Sequence, residues 1–103
     1  MRIAVTGLGA TTPIGGDVAS NWSALIEGRS GIRTLTEEWV PDMTVHFAGT
    51  LAEEPPLDRV EARKLDRSQQ VALVAAREAW ADAGSPEVDP LRMGAVIGSG
   101  IGG

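Results

Sequence analysis

A chain of 103 residues, 43% of them apolar and 22% charged, has the balance of one globular domain or part of one, which excludes a disordered or fibrous segment. Nine basic residues against fourteen acidic ones leave a net charge of −5, so bulk electrostatics exclude a nucleic-acid binder. There is no cysteine and one histidine, His46, which excludes a disulfide framework, a thiolate metal site and a cysteine nucleophile within these residues.

Residues 1–10 carry one positive side chain and an apolar run of three, too short for a secretory h-region, and no stretch approaches the ~20 apolar residues of a membrane span. A soluble, cytoplasmic protein with no membrane or nucleic-acid partner is the expectation. Ile3-Ala4-Val5, closed by Gly7 and Gly9, reads as a buried parallel-type strand ending in a tight turn. Residues 10–16 contain Pro13, Gly15 and Gly16 and are predicted as a loop. Asp17 suits an N-cap, Val18, Trp22 and Leu25 recur at i, i+4 and i+7, and Gly28 suits the C′ position, so a helix is predicted between Asp17 and Gly28. Residues 29–56 have no long period, although Val45–Leu51 has the character of a short strand.

The next helix is predicted over 67–83. Asp66 and Gln69 have the spacing of a capping box, and Gly84-Ser85-Pro86 ends the run. Val71, Leu73, Val74, Ala75, Ala79, Trp80 and Ala83 occupy nearly every side of it, the pattern of a helix buried inside a larger body. Met93–Ile97 then reads as a second buried strand, leading into Gly98-Ser99-Gly100-Ile101-Gly102-Gly103. With right-handed crossovers the two strands are expected to lie parallel in one helix-covered sheet. Two strands do not make a stable sheet of this kind, and the expectation is therefore an α/β domain present only in part over residues 1–103 and truncated at its C-terminus.

Several motifs carry more than one reading. Gly7-Leu8-Gly9 follows a strand as a dinucleotide-binding turn does, but Thr12 stands where the third glycine belongs and Pro13 bars the helix that holds the pyrophosphate. Gly98–Gly103 matches G-x-G-x-x-G literally, and is equally a closely packed strand-to-helix turn. In DRVEARKLDR, Arg59, Arg63 and Arg67 lie four apart with Lys64 alongside. One continuous helix would put the three guanidiniums on one face, whereas a solvated face partly neutralised by Asp58, Glu61 and Asp66 needs no partner. His46, between Val45 and Phe47, reads as a half-buried strand histidine, and Trp22 and Trp80 as core residues of their helices. Thr11 and Thr12 either donate into a site at the end of a strand or satisfy their own loop.

Taken in order, these pieces resemble a known family. VTGLGATTPIGGDVASNWSALIEGRSGI, residues 5–32, resembles the opening of β-ketoacyl-[acyl carrier protein] synthases of the elongating type II class, with V-T-G-x-G after a strand and a W-x-x-L-x-x-G-x-S-G-I helix ending. RKLDR followed by an alanine-rich helix ending in Ala83-Gly84 resembles the next stretch of those enzymes, and GAVIGSGIGG their second core strand and turn. The resemblance implies a thiolase-like fold, a five-layer αβαβα core in a homodimer, and decarboxylating Claisen condensation with malonyl-[acyl carrier protein] in fatty acid biosynthesis without a cofactor. It also implies a catalytic cysteine at a helix N-terminus and two histidines, expected beyond Gly103, so that no catalytic residue is assigned here. Arg63 and Lys64, with Arg59 and Arg67, stand where the family's basic cluster meets the acidic carrier protein.

Within the same family, an aromatic polyketide ketosynthase or a chain-length factor fits the same residues. From other classes, a nucleotide-binding oxidoreductase fragment rests on the two glycine motifs, and a non-catalytic module binding a carrier protein rests on the basic cluster.

Overall fold

In the computed structural model, which describes residues 1–103, the chain divides into two compact units, Thr11–Glu54 and a second made of Met1–Ala10 with Pro55–Gly103. In the first unit the loop before the helix is a β-turn. Pro13 holds the φ that its second position requires, and the Gly15 amide donates to the Thr12 carbonyl at 3.3 Å. Helix α1 follows over Val18–Glu27. Asp17 caps it as predicted: its carboxylate accepts from the Ser20 amide at 2.8 Å while the Ser20 hydroxyl accepts from the Asp17 amide at 3.2 Å. Gly28 closes the helix at φ 69°, with the Arg29 amide donating to the Ala24 carbonyl at 2.9 Å.

Two strands make up the only ladder. β1, Ile32–Thr34, pairs antiparallel with β2, Phe47–Gly49, in the register Ile32 to Gly49 and Thr34 to Phe47. The strand expected over 45–51 is thus present in its middle three residues, and its partner, which no periodicity announced, comes from residues 32–34. A single 3-10 turn at Val40–Asp42 lies between the strands and buries Val40.

The second unit is built on two helices, α2 over Arg59–Lys64 and α3 over Arg67–Asp82. The capping box of α3 is as predicted, with the Asp66 carboxylate accepting from the Gln69 amide at 2.9 Å and the Gln69 side chain accepting from the Asp66 amide at 3.1 Å. At the far end Gly84 adopts φ 86°, and the Ser85 amide reaches back to the Trp80 carbonyl at 2.9 Å, a Schellman closure. Residues 7–10 lie against α3 at unusually close range. A Cβ added to Gly7 would overlap the Ala79 carbonyl, and one added to Gly9 the Ala75 carbonyl. Glycines two apart present one side of an extended segment, and here that side meets the i, i+4 row Ala75, Ala79 and Ala83. Carboxylates on the same helix satisfy the segment's amides: Leu8 donates to Asp82 at 3.0 Å and Ala10 to Glu78 at 2.9 Å.

Four expectations are corrected. Residues 3–5 and 93–97 are extended but join no ladder, and the parallel pair is absent. A buried parallel strand needs strands beside it and layers on both faces, and Ile3 and Val96 are exposed at 84% and 98%. No residue of α3 is buried, its Val71–Ala75 stretch being only partly covered. Trp22 and Trp80 are exposed rather than core, and the buried positions of α1 are Asn21 and Ala24. His46 is exposed, precedes β2, and donates from Nε2 to the Met43 carbonyl at 2.7 Å.

Candidate functional site

Pro55 and Pro56 precede a short helix that Asp58 starts, its carboxylate accepting from the Glu61 amide at 2.8 Å. At about 100° per residue, Arg59, Arg63, Val60 and Lys64 fall on one contiguous arc of α2, and Glu61 and Ala62 fall opposite. Exposure follows that division. The four arc residues are exposed, while Glu61 and Ala62 are partly covered. Arg63 and Lys64 lie in the last turn, where the negative end of the helix dipole favours cations. Two ion pairs, Arg29–Glu27 and Arg77–Glu61, use none of Arg59, Arg63 or Lys64.

Arg67 begins α3, as the helix predicted from residue 67 requires, and the alternative of one continuous helix carrying Arg59, Arg63 and Arg67 does not hold. Leu65 is extended, at φ −114° and ψ 136°, so α2 stops at Lys64 and a new helix begins at Arg67. Arg67 therefore does not continue the Arg59–Arg63 face. It lies at the first position of α3, and its guanidinium donates to the Gln70 side-chain oxygen at 3.2 Å.

Two side-chain links that no sequence motif marked fasten α2 to α3. Gln70 Nε2 donates to the carbonyls of Ala62 at 3.0 Å and Leu65 at 3.2 Å, satisfying carbonyls that the end of a helix leaves open. Arg77 makes a two-pronged bond to Glu61, at 3.1 and 2.5 Å. The Arg77 hydrogen bond holds the Glu61 carboxyl below the usual range, and Glu61 in turn raises the Arg77 guanidinium. The sixteen-residue separation hid this pair, since only i, i+3 and i, i+4 partners are legible along one helix.

The other candidates do not join this surface chemically. Thr12 is spent on its own turn: its hydroxyl bonds to the Asn21 side-chain oxygen and accepts from the Ile14 amide at 3.1 Å. Gly7 and Gly9 are accounted for by the approach of α3, and an added Cβ at Gly98 or Gly100 would meet nothing within 4 Å. An open groove of about 1280 Å³ runs along α3, lined by Val71, Ala72, Ala75, Ala79, Val96 and Ile97, with Arg67, Ser68, Gln69 and Ser99 its only charged or hydrogen-bonding side chains. What the residues assemble is a cationic arc on a short braced helix, capable of electrostatic recognition.

An acidic α/β chain carrying a short basic helix fastened to a longer one is the class of protein that these elements define. The relationships are more specific. The chain belongs to the β-ketoacyl synthase N-terminal domain family, which it matches across residues 1–103. It is 44% identical over 108 residues to a 3-oxoacyl-[acyl-carrier-protein] synthase 2 of Staphylococcus aureus (strain MRSA252), covering 100% of this chain and 26% of that protein. A 3-oxoacyl-[acyl-carrier-protein] synthase 2 of Mycobacterium bovis is 39% identical over 104 residues, covering 97% of this chain and 25% of the relative. The chain thus spans about a quarter of the length of these relatives.

Proposed function

We propose that these residues are the amino-terminal part of a β-ketoacyl-[acyl carrier protein] synthase that elongates acyl chains in fatty acid biosynthesis. An acyl group held as an enzyme thioester is attacked by the carbanion equivalent that malonyl-[acyl carrier protein] yields on losing carbon dioxide. The new carbon–carbon bond forms as the enzyme thiol leaves, and a β-ketoacyl-[acyl carrier protein] results. The observation that carries this reading is the family match over residues 1–103 together with relatives at 39–44% identity. The complete subunit then has the thiolase-like five-layer core, works in the cytoplasm as a homodimer, and takes its cysteine and two histidines from residues after Gly103.

In this reading the basic arc of α2, Arg59, Arg63 and Lys64, with Arg67 at the start of α3, meets the acidic surface of the acyl carrier protein. Exposed ion pairs contribute only about 0.2–1 kcal/mol each, so the reversal Arg63→Glu with Lys64→Glu weakens docking severalfold without abolishing it. Exposed charges of this kind steer encounter and are screened by salt. In the full-length subunit, kcat/KM for acyl-carrier substrate is expected to fall severalfold at low salt and to recover as salt rises. No loss at low salt, or an equal loss with a small thioester that needs no carrier, overturns the docking role.

A further inference from the structure

We propose that Glu61, Arg77 and Gln70 are positioning residues that brace α2 on α3 and so aim Arg59, Arg63 and Lys64 at the carrier protein; this rests on the docking reading above. A helix of six residues is too short to hold its shape by propensity alone. α2 has no buried residue to anchor it, and an extended Leu65 separates it from α3. Its orientation is therefore set by a few contacts, and two of them are polar and directional. Gln70 holds the carbonyls of Ala62 and Leu65 at the end of α2, and Arg77, ten residues into α3, clasps Glu61 through both carboxylate oxygens.

Both contacts use the side of α2 opposite the basic arc. Glu61 and Ala62 face the brace, and Arg59, Arg63 and Lys64 face away. The acidic residue in the middle of a basic helix is thereby withdrawn from the recognition face and neutralised by Arg77. A cationic surface held in one orientation loses less freedom when a partner docks than one on a mobile segment. The brace acts on recognition only through the residues it aims, and none of its members has to touch the carrier protein.

The substitution Glu61→Gln separates aiming from charge. It deletes a negative charge beside the basic cluster, so charge alone makes an acidic partner bind more tightly. Loss of the brace makes it bind more weakly. In the full-length subunit, Glu61→Gln is expected to raise KM for the carrier-bound substrate about two- to five-fold, the range of one exposed ion pair, with kcat held. Gln70→Ala is expected to raise KM in the same way, and the exchange Glu61→Arg with Arg77→Glu, which restores the pair at unchanged net charge, is expected to return KM toward the wild-type value.

Unchanged or lowered KM in Glu61→Gln, or a fall in melting temperature in Gln70→Ala with no change in KM, overturns the brace. The reversal Arg63→Glu with Lys64→Glu is run alongside. If it raises KM while Glu61→Gln does not, the brace fails and docking stands. If the reversal itself leaves KM unchanged, docking fails and takes the brace with it.

Discussion

Asn21 shows how much of this structure rests on single polar side chains. It is buried, at 8% exposure. Its Nδ2 donates to the carbonyls of Gly15 at 3.0 Å and Asp17 at 2.7 Å, while its oxygen receives the Thr12 hydroxyl. The loop from Thr12 to Gly15 and the first turn of α1 therefore share one hub, and Thr12, considered at first for a site, serves that hub. Nothing in the sequence singled Asn21 out, because an asparagine within a helix carries no periodic signal and two of its three partners are main-chain atoms. Asn21→Ala leaves the Thr12 hydroxyl proton without its acceptor and removes one donor from each carbonyl, although Gly15 still accepts from the Thr12 amide and Asp17 from the Asn21 amide. A buried group left unsatisfied costs about 1–3 kcal/mol, so a loss of that size in urea unfolding of the full-length subunit is expected. Asn21→Ser, which keeps one hydrogen-bonding group, is expected to lose less.

At the scale of elements, caps and closures were legible and pairings were not. Asp17, Gly28, Asp66, Gln69 and Gly84 mark the ends of α1 and α3 by local chemistry, and local chemistry is what a sequence displays directly. The break between α2 and α3 was legible too, in a signal that competed with another. If Asp66 is an N-cap its backbone is not helical, so Arg63 and Arg67 never belonged to one continuous helix; the four-residue spacing of arginines pointed the wrong way. Strands depend on partners far along the chain, which is why β1 passed unmarked and why the apolar runs 3–5 and 93–97 were read as a pair that does not form.

The same caps give α1 and α3 a dependence on pH. Hydrogen bonds from the Gln69 amide and then the Ser68 hydroxyl hold the Asp66 carboxyl below its ordinary value, and the Ser20 side chain and amide do the same for Asp17. A carboxyl whose folded value is depressed contributes fully above its unfolded value of about 4, and the contribution disappears as pH falls through the folded value. Asparagine caps a helix without titrating. Asp66→Asn is thus expected to melt below wild type at neutral pH, with the gap closing in acid, as thermal unfolding at several pH values reads directly. The seam between residues 7–10 and α3 makes a sterner demand. Gly9→Ala forces a methyl into the Ala75 carbonyl and is expected to cost about 1–3 kcal/mol, the usual penalty of overpacking. Gly94→Ala, where an added Cβ meets nothing within 4 Å, is the control and is expected to change stability little.

At the scale of the whole molecule, the distribution of apolar surface decides what these residues do on their own. Ala24 and Val40 are the only buried hydrophobic residues, while twenty large apolar side chains are exposed, among them Ile3, Val5, Trp22, Trp80, Val96 and Ile97. Covering one such side chain fully contributes about 1.5–3 kcal/mol, against a native stability of only ~5–15 kcal/mol, so a few left uncovered remove the margin. A polypeptide of residues 1–103 alone is therefore expected to self-associate, with the exposed rows of α1 and the apolar groove beside α3 as its adhesive surfaces. It is also expected to form no ketoacyl product, because it has no cysteine to carry an acyl group. Sedimentation velocity across a concentration series checks the first expectation: a monomer with a cooperative thermal transition shows it to be wrong. Incubation with acyl and malonyl carrier thioesters checks the second, where product formed by the purified polypeptide places the acyl-accepting nucleophile on a residue other than cysteine.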